Sequence, residues 1–202
     1  MATVLETFAK DPVEFMKKNL VLVKCGGNAS PIEVTLNLST QHTAKKAGIG
    51  NIATFELEPK PGGLAAYWLP YWGNTSQQMT LGGAADVVFT PTMDGCTFAV
   101  GEQTGGVVKI AHVNYTQDVG GSLSADKDKV NDALDQIYSG PASKKLTPDD
   151  YRQLQDATRG VVQLTTFGVR KSGNWDFYYQ KRLRTGAGKN GFTFELVDVF
   201  PV

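Results

Sequence analysis

The sequence predicts a single α+β domain in which two mixed or antiparallel β-sheets pack as a sandwich flanked by helices. Three observations predict it. Short segments rich in Val, Ile, Thr, Phe, Tyr and Trp recur between residues 19 and 116 and again between 161 and 199, with Gly, Pro or Asn clusters separating them. Between these two stretches the apolar period turns helical. No internal repeat, low-complexity tract or long linker divides the chain, so residues 1–202 read as one domain.

The elements follow in order. Asp11-Pro12-Val13-Glu14 has the form of a helix start: Asp as N-cap, Pro at the first helical position, Glu three residues after the cap. That helix is short, because Leu20-Val21-Leu22-Val23 lies inside a β-rich run over 19–24. Strands are expected at 31–40, 51–58, 64–72, 85–90, 96–101 and 107–116. The first of these alternates around Ile32, Val34, Leu36 and Leu38, as a half-buried strand does. Val130, Ala133, Leu134 and Ile137 then recur at helical spacing, with Ser124 as cap and Gly140 as terminator. Thr147-Pro148-Asp149-Asp150 opens a second helix, with Tyr151, Leu154 and Ala157 on one face and Gly160 past its end. Strands return at 161–170, 175–184 and 192–199.

Composition excludes several functions. Lys and Arg total 20 against 20 Asp and Glu, which argues against binding nucleic acid through backbone charge. Two cysteines and two histidines are too few for a disulfide scaffold or a zinc site, so neither a metal nor a cofactor is expected. The first ten residues lack a charged segment leading into an apolar one, and no long apolar run follows, so no classical signal peptide or membrane helix is expected. A secreted fate would need an export machine that does not read a cleaved signal.

The informative segment runs from Gly63 to Asn114. Cys96 follows Asp94-Gly95, a turn dipeptide between two strands. Gly95 lets backbone approach a substrate closely, and the Gly95–Cys96 amides are candidates for an oxyanion site. After the glycine-rich loop over 101–106, a returning strand carries His112. Such a hairpin brings an imidazole back towards a thiol. The chemistry favours that pairing, because the thiolate is the nucleophile and a neighbouring His both activates it and protonates a leaving group. The same residues also suit a plain core: Cys96 as a small buried hydrophobe, His112 beside Val108 and Ile110. Trp68, Tyr71 and Trp72 are candidate walls of a substrate pocket, although aromatic residues in a strand also serve as core.

Trp68-Leu69-Pro70, Thr90 six residues before Cys96, Gly95-Cys96, and His112 on the following strand together resemble the Burkholderia lethal factor and the catalytic domain of the cytotoxic necrotizing factors. The specific likeness covers about fifty residues. It implies a toxin- or effector-type glutamine deamidase, in which Cys96 and His112 convert a glutamine of a host protein to glutamate through a thioester. By resemblance Thr90 fixes the imidazole or lines the site. The implied partners are GTPase-like or translation-factor-like host proteins, met in the cytoplasm of a target cell. The chain departs from the family at Met93-Asp94-Gly95, where Leu-Ser-Gly is usual. The added carboxylate is expected to raise the Cys96 pKa by like-charge repulsion if it faces the thiol.

Two other readings share these residues. A Cys–His protease or acyltransferase would use the same acyl-enzyme step. A non-catalytic module would bind through a solvated basic face formed by Arg170, Lys171, Lys181, Arg182, Arg184 and Lys189, set against a core face of Trp175, Phe177, Tyr179 and Leu183. Cys25 reads as structural, Gly26-Gly27 lacks the rest of a phosphate loop, and residues 40–48 read as a solvated connector.

Overall fold

Two short helices open the structure. Thr3 caps α1 (Val4–Lys10) through a capping box with Glu6, a helix the sequence reading missed. Asp11 caps α2 (Pro12–Lys18), with Pro12 in its first turn. The strands β1 (Leu20–Val23), β2 (Ser30–Leu38), β3 (Thr43–Lys46), β4 (Gly50–Ile52), β5 (Thr54–Pro59), β6 (Leu64–Trp68), β7 (Thr75–Leu81), β8 (Val87–Phe89), β9 (Thr97–Thr104) and β10 (Val107–Asn114) follow. Then come β11 (Thr116–Val119), β12 (Ser122–Ala125), α3 (Lys127–Tyr138), β13 (Lys144–Leu146), α4 (Pro148–Tyr151), β14 (Val161–Lys171), β15 (Asn174–Gly188) and β16 (Gly191–Pro201). This computed structural model describes residues 2–119, 122–154, 160–188 and 191–202.

The expected α+β sandwich is corrected. The protein is 55% strand and 17% helix, and ten strands form one mixed, nearly closed, barrel-like sheet in the order β1-β5-β2-β6-β8-β14-β15-β16-β3-β4. A four-stranded sheet, β13-β9-β10-β7, packs beside it, and β11 pairs with β12. Two physical causes account for the difference. First, segments read as connectors pair as strands: β3 lies within the supposed loop over 40–48, and β7, β11, β12 and β13 add four more. Second, the helical pair is smaller than expected. Asp126, not Ser124, caps α3, and the helix expected from Thr147 is the short turn of α4 followed by a 3-10 turn over Arg152–Leu154. Ala157 and the side chain of Leu154, assigned to its face, lie outside the described residues.

Closure of the barrel follows from the chain path. β4 runs into β5 across Ala53 alone, so one continuous run joins the strand at one end of the order to the strand next to β1 at the other. Leu20 N–H donates to Ala53 O at 2.9 Å, and Leu20, Leu22, Ala44 and Phe194 pack the seam. The inward edge of β1 is satisfied by side chains: Val21 N–H donates to Gln180 Oε1 (2.9 Å), and Thr165 Oγ1 donates to Val21 O (3.0 Å).

One face of the large sheet encloses Val21, Val34, Leu57, Trp68, Phe89 and Phe167, with Phe8, Phe15 and Met16 of α1 and α2 packed among them. Strand alternation turns the neighbouring residues outward. Val88, Val162, Leu164, Trp175, Phe177 and Leu183 face out and meet Phe98, Val100, Val108 and Ile110 of the four-stranded sheet. The candidate site lies in this second layer.

Candidate active site

The hairpin β9–β10 is longer than expected. Strand β9 continues to Thr104, and only Gly105 and Gly106 form the turn, both with positive φ (58° and 79°). The register pairs His112 with Phe98 and Val113 with Thr97. Cys96, one residue beyond the last pair, therefore shares the Phe98 face, diagonal to His112 and across from Asn114. That face packs on the barrel; the other, with Ala99, Ala111 and Val113, packs on α3.

Thr90 reaches the same layer from the barrel. Phe89 points inward, so Thr90 points out, and Met93 pairs with Leu164 further along β14. Thr90 Oγ1 and His112 Nδ1 form a short hydrogen bond. The opposite ring nitrogen, Nε2, is buried without a hydrogen-bond partner, so no hydrogen bond joins it to the Cys96 sulfur. Tyr71 covers the imidazole, its ring centroid 5.3 Å away, and Asn114 Nδ2 donates to the Tyr71 hydroxyl at 2.7 Å. Beneath this cover Thr90 is 2% exposed, Cys96 5% and His112 1%, whereas Tyr71 is 38% exposed.

Burial dominates the electrostatics. It pushes the Cys96 thiol up to about 12, with Asp94 adding repulsion, while the Gly95 backbone and the Arg152 cation act in the opposite sense. Asp94 thus acts on the thiol as its place in the sequence suggested. Burial alone holds His112 down to about 3, so the imidazole is neutral near pH 7. The Tyr71 phenol is raised by burial and by the proximity of Cys96 and Asp94.

The loop carrying Cys96 is clamped by residues that the sequence reading did not place at this site. Tyr151 Oη donates to Cys96 O at 2.8 Å. Arg152 donates through both Nε and Nη2 to Asp94 O, and its guanidinium lies over Gly95 so closely that a Cβ there would meet Nη2 at 2.7 Å. From the barrel interior, Arg182 Nη2 donates to Thr92 Oγ1 (2.9 Å) and Nη1 to Thr165 Oγ1 (2.7 Å). Periodicity assigns Tyr151 to a helix face and Arg182 to a strand, but neither pattern shows that these residues or Arg152 meet the loop before Cys96. Asn114 had one available signal, its place two residues after His112 on one strand face.

The structure brings together Thr90, Gly95, Cys96, His112 and Tyr71, and leaves out Trp68. That indole is 1% exposed inside the barrel, on the opposite side of the large sheet from His112, so it walls no pocket at the site. Trp72 is 51% exposed on the loop beside Tyr71. A cleft of about 630 Å³, lined in part by Ser124, Asp126, Pro148, Asp149 and Arg152, is not lined by Cys96 or His112.

The expected solvated basic face forms only in part: Lys171 is exposed and Arg170 and Arg184 are half-buried, but Lys181 and Arg182 are enclosed. Arg182 is 1% exposed within the barrel, Lys181 is buried across a bulge, Arg184 stacks on Phe192, and Arg170 faces Asp86 at 3.5 Å. Trp175, Phe177 and Leu183 do share one buried face. Lys189 lies outside the described residues. Among the described residues no group of three or more His, Cys, Asp or Glu side chains could hold a metal ion, and no helix is long and apolar enough to cross a membrane. Cys25 lies half-buried, its thiol directed at Leu57 O and raised to about 12 by burial and Glu58. No family model matches the chain, and no curated protein matches it.

Proposed function

We propose that the chain is one deamidase-like domain, a toxin- or effector-type protein-glutamine deamidase using Cys96 and His112. One observation carries the reading: Thr90 holds His112 by Nδ1, so that Nε2 is left unpartnered on the sheet face that also carries Cys96. With Nδ1–H donating to Thr90 Oγ1, Nε2 presents a lone pair and serves as general base. As the Cys96 sulfur attacks the glutamine carboxamide carbon, its proton passes to Nε2. The tetrahedral intermediate collapses, Nε2 returns the proton to the departing nitrogen, and ammonia leaves. Water, deprotonated by the same Nε2, hydrolyses the thioester to glutamate and restores the thiol. Both groups are neutral at rest and the site is closed, so substrate entry includes displacement of the Tyr71 ring. The substrate is a host protein of GTPase-like or translation-factor-like kind, met in the cytoplasm of a target cell.

The test is incubation of candidate host proteins with the enzyme, followed by mass mapping. A glutamine-to-glutamate conversion that vanishes with Cys96→Ser and with His112→Ala supports the reading. Conversion that survives Cys96→Ser would sink it, and peptide-bond cleavage would reassign the same dyad to a protease.

A further inference from the structure

A Cys–His amidohydrolase must stabilise the oxyanion formed when the carboxamide carbon becomes tetrahedral. The backbone amides at Gly95–Cys96 are the first place to look, and a side-chain donor beside Cys96 would add to them. The register supplies such a side chain next to Cys96. Continuing the β9–β10 register by one residue sets Asn114 across from Cys96, on the face that carries His112. Asn114 is 8% exposed, and its Nδ2 donates at 2.7 Å to the Tyr71 hydroxyl. That phenol belongs to the ring lying 5.3 Å from the imidazole, and its ionisation is coupled to Cys96. An oxygen accepting a hydrogen bond from a buried carboxamide, close to a thiol and an imidazole, occupies the position a substrate carbonyl oxygen would take.

We infer that the Asn114 carboxamide is the side-chain oxyanion donor of this site, and that the Tyr71 hydroxyl fills the oxyanion position until a glutamine carboxamide displaces it. This rests on the deamidase reading and adds a catalytic residue to it. Asn114 Nδ2 exchanges a phenol acceptor for a carbonyl oxygen whose negative charge grows as the C–S bond forms. The interaction is thus stronger in the transition state than with the bound amide. Tyr71 has a second consequence: in the empty enzyme its phenol keeps the Asn114 donor satisfied within a closed layer.

The test uses the full chain and a peptide in which the glutamine side chain ends in an aldehyde instead of a carboxamide. Addition of the Cys96 thiol forms one C–S bond, opens the carbonyl π bond to an oxyanion, and passes the thiol proton to that oxygen through His112. The hemithioacetal is followed by carbon-13 NMR of a labelled aldehyde. Iodoacetamide alkylation of Cys96, a displacement that forms no oxyanion, is measured in parallel. Asn114→Ala is expected to weaken the hemithioacetal by about a hundredfold while alkylation stays as fast as in the wild type or becomes faster. Asn114→Asp keeps the shape but removes the donor, and is expected to weaken it at least as much, which covers the case in which the alanine variant folds poorly. Tyr71→Phe is expected to tighten the hemithioacetal, because no phenol oxygen competes for Asn114. An unchanged or tighter hemithioacetal in both Asn114 variants overturns the assignment, and so does an equal loss in hemithioacetal and alkylation. If the wild-type protein forms no Cys96 hemithioacetal while iodoacetamide still alkylates it, the deamidase reading itself falls, and the role of Asn114 with it.

Discussion

Thr90 and His112 are hydrogen-bonded across the boundary between two sheets: the hydroxyl belongs to the chain leaving β8 of the barrel, the imidazole to the middle of the four-stranded sheet. The bond fixes the ring plane and holds Nδ1, so the proton chemistry of the ring is confined to Nε2. Replacing Thr90 by Val preserves shape and β-branching but leaves a buried Nδ1 without a partner. Stability is expected to fall by about 1–3 kcal/mol in urea unfolding. The proposed deamidation, measured by ammonia release, should fall by about 10- to 100-fold, by analogy with partners that orient metal-bound histidines. Thr90→Ser keeps the hydroxyl and should retain most of both. Equal losses in Ser and Val variants would show that the methyl packing matters and the hydrogen bond does not.

The buried imidazole has a stability signature in acid. His112 is held down to about 3 in the folded protein against an ordinary value of 6.5, so the unfolded chain binds the extra proton first. Its contribution is fully present above 6.5 and is lost as the pH falls through that window, at up to about 1.4 kcal/mol per pH unit. Between about pH 5 and 6.5, above the ordinary carboxylate range, urea midpoints should drop steeply for the wild-type protein. They should drop much less for His112→Gln. Parallel slopes in the two proteins would remove His112 as the cause.

Much of this layer was legible in the sequence because its determinants are local. β-Branched and aromatic runs bound by a two-glycine turn define the β9–β10 hairpin, and alternation then dictates which residues share a face. The barrel was not legible, because its closure is set by partners far away in the chain. β3 contributes only Ala44 to the buried set and is a strand because β16 pairs with it in parallel. β7 carries only Leu81 as a buried residue and owes its place to β10. Trp68 misled for a related reason. The motif placed it correctly on a strand, but the side of the sheet it faces depends on which strands lie alongside. Arg182 is the strongest case: read as part of a solvated face, it is enclosed, its guanidinium lowered to about 9 by burial and its Nε without a hydrogen-bond partner.

Asp94 provides a separate handle on the Cys96 thiol. Burial raises the Cys96 thiol most, and the Asp94 carboxylate is the next contributor in the same direction. Asp94→Asn removes one negative charge, so the thiol pKa should fall and the thiolate fraction rise at any pH below about 12. Iodoacetamide alkylation of Cys96 at fixed pH should quicken about three- to tenfold, an amount that matches a fraction of a pK unit up to one unit. Cys25, whose thiol is raised by burial and by Glu58, provides the internal control and should not respond. An unaltered Cys96 rate would mean that the carboxylate is screened from the sulfur.

Gly95 and Arg152 form a pair whose members should not act independently. The guanidinium lies where a side chain at 95 would begin, 2.7 Å from an ideal Cβ, while donating to the carbonyl of Asp94. Gly95→Ala therefore forces the flexible Arg152 head away and breaks that hydrogen bond, at an expected cost of about 1–2 kcal/mol. The displaced cation also stops lowering the thiol pKa, so Cys96 alkylation near neutral pH should slow. Arg152→Ala loses the same bond and the same charge, but opens space over residue 95. Adding Gly95→Ala to Arg152→Ala should then cost little more than Arg152→Ala alone. A double-mutant cycle on urea midpoints is expected to give a coupling of about 1 kcal/mol, and strictly additive losses would mean that the guanidinium does not occupy that position in solution.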